Sequence, residues 1–259
     1  MHPEASNVVL KTSNMSMIFG GLKAVQQVNI EVKTAEIVGL IGPNGAGKTT
    51  CFNMITGVYT PSEGTINFRN TPIQGLKPAA INHLGIARTF QNIRLFKNLS
   101  VFDNVRTAMH RSVDYGLFSA LLRTKKYQRT EAMIAEETKK LLCIFDLEHR
   151  ATESAGSLPY GEQRKLEIVR ALATRPSLLL LDEPAAGMNP QETAHLTQLI
   201  QRIRSEFNLA ILLIEHDMSL VMKICERIYV LDYGKEIARG TPPEIQKNPA
   251  VIKAYLGEE

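Results

Sequence analysis

The chain has 259 residues, 44% of them hydrophobic and 22% charged, with a formal net charge of +4. That balance is ordinary for a soluble globular protein with a buried core of one or two domains. It excludes a membrane-spanning helix, because no run of about 18 apolar residues occurs, and the mild positive excess is compatible with a nucleotide or an anionic membrane surface while giving no case for nucleic acid. Met1-His2-Pro3-Glu4 lacks the charged-then-apolar order of a signal peptide. Cys51, Cys143 and Cys225 are scattered, without a C-x-x-C pair, and read as reduced thiols of a cytosolic protein.

From Val8 to Val32 the pattern is strand-like, with Val28, Ile30 and Val32 alternating with Asn29 and Glu31. Ile37 to Ile41 is a continuous apolar run, as in a parallel strand covered on both faces. It is followed by Gly42-Pro43-Asn44-Gly45-Ala46-Gly47-Lys48-Thr49 and by a helix predicted over Thr50 to Thr56. A turn at Pro61-Ser62-Glu63-Gly64 leads into a second alternating strand, Thr65 to Arg69, and the two alternating regions predict a small antiparallel sheet. A short strand precedes Gln91.

Ser100 to Arg150 reads as helical. Ser100 and Asp103 form a capping pair ahead of Val101, Val105 and Met109, and a second helix is predicted over Arg129 to Phe145. Leu158-Pro159-Tyr160-Gly161-Glu162-Gln163 is a tight turn opening a helix with Leu166, Val169 and Leu172 on its apolar face. Two buried strands follow: Leu178 to Leu181, ending in Asp182-Glu183, and Leu209 to Ile214, ending in Glu215-His216-Asp217. Ile228 to Arg239 reads as a hairpin around Asp232-Tyr233-Gly234, and Pro242 to Leu256 as one short helix ending at Gly257.

The glycine-rich octet has the G-x-x-x-x-G-K-[ST] spacing in a strand–loop–helix context. Glycines let successive N–H groups turn toward one point, and the helix N-terminus adds partial positive charge there. Lys48 can reach the outer phosphates and Thr49 can offer its hydroxyl to Mg²⁺, with Asn44, Gly45, Ala46, Gly47 and Thr50 completing the cradle. Asp182, at the carboxyl end of an apolar strand, lies where a phosphate-bound metal would sit, and Glu183 can polarise an attacking water. His216 at the end of the other strand can contact the γ-phosphate, and the Gln91 amide can reach the metal and the water. The bare helix N-terminus at Leu158 to Glu162 suits a phosphate held by a second chain, which implies a dimer with nucleotide at its interface.

These motifs, in this order, resemble those of the ATP-binding-cassette ATPases over nearly the whole chain. Phe19-Gly20-Gly21-Leu22-Lys23-Ala24-Val25, Arg88-Thr89-Phe90-Gln91, Leu158 to Gln163, Ala185-Ala186-Gly187-Met188-Asn189-Pro190 and Ala254-Tyr255-Leu256-Gly257 are similar to the LivG-type ATPase subunits of branched-chain amino-acid importers. The resemblance implies an α/β P-loop NTPase with a RecA-like core, an antiparallel β subdomain and an inserted helical subdomain. A single nucleotide-binding domain would span residues 8–240, with core and β subdomain at 8–95 and 159–240, helical subdomain at 96–158 and a helical tail at 241–259. It further implies ATP and Mg²⁺ as cofactors, with Phe19 and Val25 at the nucleotide and Phe19 stacked on adenine. Catalysis would rest on Glu183, His216 and Gln91, and the metal on Thr49, Gln91 and Asp182. Leu158, Pro159, Tyr160, Gly161 and Glu162 would act in trans on the ATP of a second cassette, in a homodimer or a heterodimer. The implied partners are integral membrane permease subunits, at the cytoplasmic face of the inner membrane.

Three departures bear on mechanism. Pro159 stands where most cassettes carry serine and offers neither hydroxyl nor N–H to a partner's phosphate, so the signature would activate weakly and a heterodimer partner would supply the better copy. Asn189 replaces the usual aspartate and puts cross-dimer communication in question. Phe19 replaces the commoner tyrosine and keeps the π-face. Arg123, Lys125, Lys126 and Arg129 form a basic run that would face either solvent or anionic head groups. The rivals are the cassette of lipopolysaccharide export, which is expected to have a more common signature, and a soluble non-transport cassette, which usually carries two cassettes or long coiled coils. A GTPase is disfavoured because no Asn-Lys pair occurs.

Overall fold

The computed structural model describes residues 7–113 and 116–256. The expectations on Met1 to Glu4 and on Gly257 fall outside the described residues. The chain packs as two compact units, Met1–Arg88 with Ser177–Glu259, and Thr89–Pro176. The first unit begins with β1 (Val8–Phe19), β2 (Leu22–Val28), β3 (Glu31–Lys33), β4 (Ile37–Ile41), α1 (Lys48–Ile55), β5 (Glu63–Phe68), β6 (Thr71–Pro72), α2 (Pro78–Leu84) and β7 (Ile86–Arg88). The second contains α3 (Val101–Met109), α4 (Leu117–Leu121), α5 (Lys125–Ile144) and α6 (Tyr160–Ala173). The first then resumes with β8 (Leu178–Asp182), α7 (Pro190–Glu206), β9 (Ala210–Ile214), α8 (Met218–Ile224), β10 (Arg227–Asp232), β11 (Lys235–Gly240), α9 (Pro242–Gln246) and α10 (Pro249–Leu256).

The first unit holds two sheets. The antiparallel one runs β2-β1-β5-β6, with β3 also on β1. The predicted alternation is real: Val28, Ile30 and Val32 are buried, yet the strand breaks between β2 and β3. Thr12 of β1 spans that break. Its hydroxyl donates to the Val28 carbonyl at 3.1 Å and accepts from the Ile30 N–H at 2.7 Å, so the broken edge keeps its buried polar groups satisfied.

The second sheet runs β11-β10-β4-β9-β8-β7, parallel except for the hairpin strand β11. Every residue of β4, β8 and β9 is buried, which is why these strands read as unbroken apolar runs. Neighbouring parallel strands end together, so the segments after β4, β8 and β9 emerge at one edge of the sheet.

In the second unit α3, α5 and α6 pack around Val101, Val105, Leu141, Leu142, Leu166 and Val169. Fully buried Asn104 ties the preceding loop to this core: it accepts from the Phe96 N–H and donates to the Phe96 and Ser100 carbonyls, each at 3.0 Å.

Helix bounds differ from the sequence reading for local reasons. α1 starts at Lys48 because Gly47, at φ 102°, sets the N-cap. α5 starts four residues before Arg129, since the Thr124 side chain caps it by accepting from the Tyr127 N–H. The tail is two helices rather than one. Pro249 biases Asn248 away from helical backbone, and the Asn248 side chain accepts from the Ala250 N–H at 2.9 Å to start α10 afresh.

Candidate functional site

The loop between β4 and α1 is shaped by what lies beneath it. A Cβ on Gly47 would sit 2.7 Å from the Ala24 carbonyl oxygen and 3.2 Å from Val25 Cγ2, so only glycine allows this approach. Val25 itself is fully buried and underlies the loop. Asn44, Gly45 and Thr49 are exposed, and Thr50 is half-buried. The Lys48 ammonium curls back over the loop and donates to the Gly42 and Pro43 carbonyls at 2.7 and 2.8 Å. Burial lowers its pKa, partly offset by the nearby charges of Glu183 and Asp182. The Tyr255 phenol of α10 hydrogen-bonds the Gly42 backbone, which joins the tail to the loop.

Asp182 closes β8. Its Oδ2 accepts from Arg88 Nη2 at 2.7 Å, and both side chains are under one-tenth exposed. Arg88 ends β7, donates to Asn53 Oδ1 at 2.7 Å and lies over the Phe52 ring of α1. One guanidinium therefore braces the acid against the helix that begins at the phosphate loop. The sequence places Arg88 in a motif but gives it no role of its own, because its partners lie 35 and 94 residues away.

Glu183 occupies the left-handed region at φ 50°, a conformation unfavourable for a side chain with Cβ. Its N–H donates to the Ile214 carbonyl at 2.9 Å, and its Oε1 lies 2.8 Å from His216 Nε2. Two of the predicted catalytic side chains are thus in direct contact. Beneath them sits a group the sequence reading left without a role. Buried Glu215 accepts from the Ala185 N–H at 2.7 Å and the His216 N–H at 3.0 Å. Desolvation pushes its pKa up, against the pull of those N–H groups. An acid directly after a buried apolar strand was the available signal.

Phe19 is partly exposed and makes an edge contact with Tyr59, ring centroids 5.3 Å apart. Asn189 is the N-cap of α7, its Oδ1 accepting from the Gln191 and Glu192 N–H groups at 3.0 and 2.9 Å. Its amide thus has a local structural use.

Gln91 and the Leu158 to Glu162 segment belong to the second unit. Gln91, Pro159 and Tyr160 are exposed, Leu158 and Gly161 are buried, and Glu162 pairs with Arg150 at 3.3 Å. Pro159 is the N-cap of α6 and supplies no side-chain cap. Arg164, likewise given no role by the sequence, donates to the Phe90 and Gln91 carbonyls at 2.9 and 2.6 Å and to the Tyr160 hydroxyl at 2.7 Å. Glu167 accepts from the Phe90 N–H at 3.3 Å, and burial raises its pKa.

The first unit's residues fit a magnesium nucleotide. The loop turns its backbone outward, a lysine lies across it, and a threonine hydroxyl and a strand-end carboxylate can each take one metal position. No group of three or more acids, histidines or cysteines among the described residues could hold a metal alone. That is the usual situation for Mg²⁺, which relies on phosphate oxygens and water for much of its shell.

Comparison with known proteins shows the family. The profile described as ABC transporter matches residues 25–186, and that described as branched-chain amino acid ATP-binding cassette transporter matches residues 235–259. The chain is 48% identical to the high-affinity branched-chain amino acid transport ATP-binding protein LivG of Salmonella typhimurium, over 98% of this chain and 99% of that one. It is 34% identical to the lipopolysaccharide export system ATP-binding protein LptB of Escherichia coli, over 96% and 98% respectively. A crystal structure of the ADP conformation of an ABC-transporter cassette matches with a TM-score of 0.84 at 32% identity, covering 97% of this chain and 99% of that one.

Proposed function

The chain belongs to the ATP-binding-cassette family of transporter ATPases, and from that premise we propose that it powers import of branched-chain amino acids through a membrane permease. The observation that carries the substrate class is the 48% identity to LivG over nearly the full length, against 34% to LptB. The matched module at residues 235–259 points the same way.

In this reading Phe19 stacks on adenine, Val25 supports the loop from below, and Asn44 to Thr50 with Lys48 hold the triphosphate. Thr49, Asp182 and Gln91 hold Mg²⁺, which neutralises charge on the phosphate oxygens when bound. Glu183 polarises the attacking water, and His216 holds that carboxylate from the side and meets the γ-phosphate. The contact between Glu183 and His216, 2.8 Å, supports their pairing. Leu158 to Glu162 act on the ATP of a second cassette, identical or different. Cassettes would close on ATP and reopen after hydrolysis, biasing the permease between two states by differential affinity. The site of action is the cytoplasmic face of the inner membrane.

The test is affinity purification from membranes, joined to leucine uptake in cells lacking the chain. Co-purification of a permease with a second cassette, and uptake restored by the wild type but not by Glu183→Gln, is the expected outcome. Copurification with lipopolysaccharide-export components would overturn the substrate class.

A further inference from the structure

The second unit presents an apolar surface that its own core does not use. Phe118 and Leu121 of α4 and Leu122 just after it are 79%, 76% and 73% exposed. Spaced i, i+3 and i+4, they lie on one face of a single turn. Isolated exposed apolar residues are common, but three large ones on one turn form a patch that marks an interaction site.

The sequence through the patch is one-signed between Asp114 and Glu131. Between Gly116 and Thr130 there are four basic residues, Arg123, Lys125, Lys126 and Arg129, and no acidic one. All four are exposed. Lys125 and Lys126 occupy the first turn of α5, which contains no acid. Cations there oppose the helix dipole, so helix stability does not explain them. The pattern is an apolar tip with a basic collar, the composition of surfaces that sit at the head-group level of anionic bilayers.

We propose that α4 and the start of α5 contact anionic lipid directly, with Phe118, Leu121 and Leu122 entering the interfacial layer and the four basic side chains meeting lipid phosphates. A protein helix is the less suited occupant. The three side chains project outward, and the four cations beside them suit the phosphates of lipid head groups. The contact is independent of which substrate the transporter carries.

The experiment is flotation of the purified full chain with vesicles of phosphatidylcholine alone, or of three parts phosphatidylcholine to one part phosphatidylglycerol. Binding is expected only with the anionic vesicles and is expected to fall in half-molar salt. Each basic residue replaced by glutamine should weaken it about fivefold. Phe118→Ser with Leu121→Ser should abolish flotation with unchanged thermal melting, since neither side chain is buried. Equal binding to both vesicle types, indifference to these substitutions, or no flotation by the wild type would overturn the proposal. If the patch variants instead lose only the permease in pull-downs, the surface belongs to a protein partner and the lipid assignment falls.

Discussion

Arg88 and Asp182 form a 2.7 Å ion pair in which both side chains are nearly sealed from solvent. The arginine ends one strand and the aspartate ends its parallel neighbour. The acid that would face the metal is thereby held from behind by a group 94 residues earlier in sequence.

Arg88→Met removes the guanidinium and leaves the acid's charge buried. Breaking such a pair costs about 3–5 kcal/mol, so thermal unfolding should drop well below the wild type. Magnesium titration of nucleotide binding should show weaker metal dependence even where the variant stays folded. Unchanged melting and unchanged metal dependence would remove the bracing role.

Glu183→Gln should retain ATP binding and lose turnover by about a hundredfold or more, read by nucleotide binding and phosphate release on one preparation. Lys48→Ala should instead lose affinity for ATP. Turnover at the wild-type rate in the first variant, or retained affinity in the second, would reassign these residues.

Glu167 and Glu215 both titrate above the ordinary carboxylate value of 4.5, because burial disfavours their charge. A raised acid favours the folded state most below the unfolded value, and that contribution is lost as pH rises through the folded value. Their share of stability should therefore decline as pH climbs upward from 4.5. Glu215→Gln should flatten its part of that decline in denaturation measured against pH. An unaltered slope would show that Glu215 does not titrate there.

Pro159→Ser supplies α6 with an N-cap hydroxyl, worth about 1 kcal/mol to the helix. In the proposed trans role it also offers a donor to the partner's phosphate, and ATP hydrolysis should rise about tenfold to a hundredfold if a charged hydrogen bond of about 1.5–3 kcal/mol is gained at the transition state. Rates measured alone and with a paired cassette, beside a melting curve, separate the effects. Higher melting with unchanged hydrolysis would leave only the structural benefit.

The features legible in sequence were those written in adjacent residues. The glycine-rich loop, the apolar strands ending in Asp182-Glu183 and in Glu215-His216, and the Asp232 to Gly234 turn each carry their signal within about ten positions. What escaped depends on partners brought together by the sheet. Arg88 reads as one more arginine until β7 lies beside β8, and Arg164 reads as helix surface until Phe90 and Gln91 fold against it. The break between β2 and β3 was hidden because the burial alternation runs straight through it, with Thr12 making the repair from another strand. The five-residue α4 was not singled out within the stretch read as helical, because Phe118 and Leu121 face outward, reversing the usual reading of amphipathic spacing.

Arg164 makes four hydrogen bonds, two to the Tyr160 hydroxyl and one each to the carbonyls of Phe90 and Gln91. Glu167, one turn along, grips the Phe90 N–H as well. The glutamine-bearing stretch and the opening turn of α6 are therefore bolted to a common crank. Losing that one guanidinium would loosen both at once, since each leans on the same side chain.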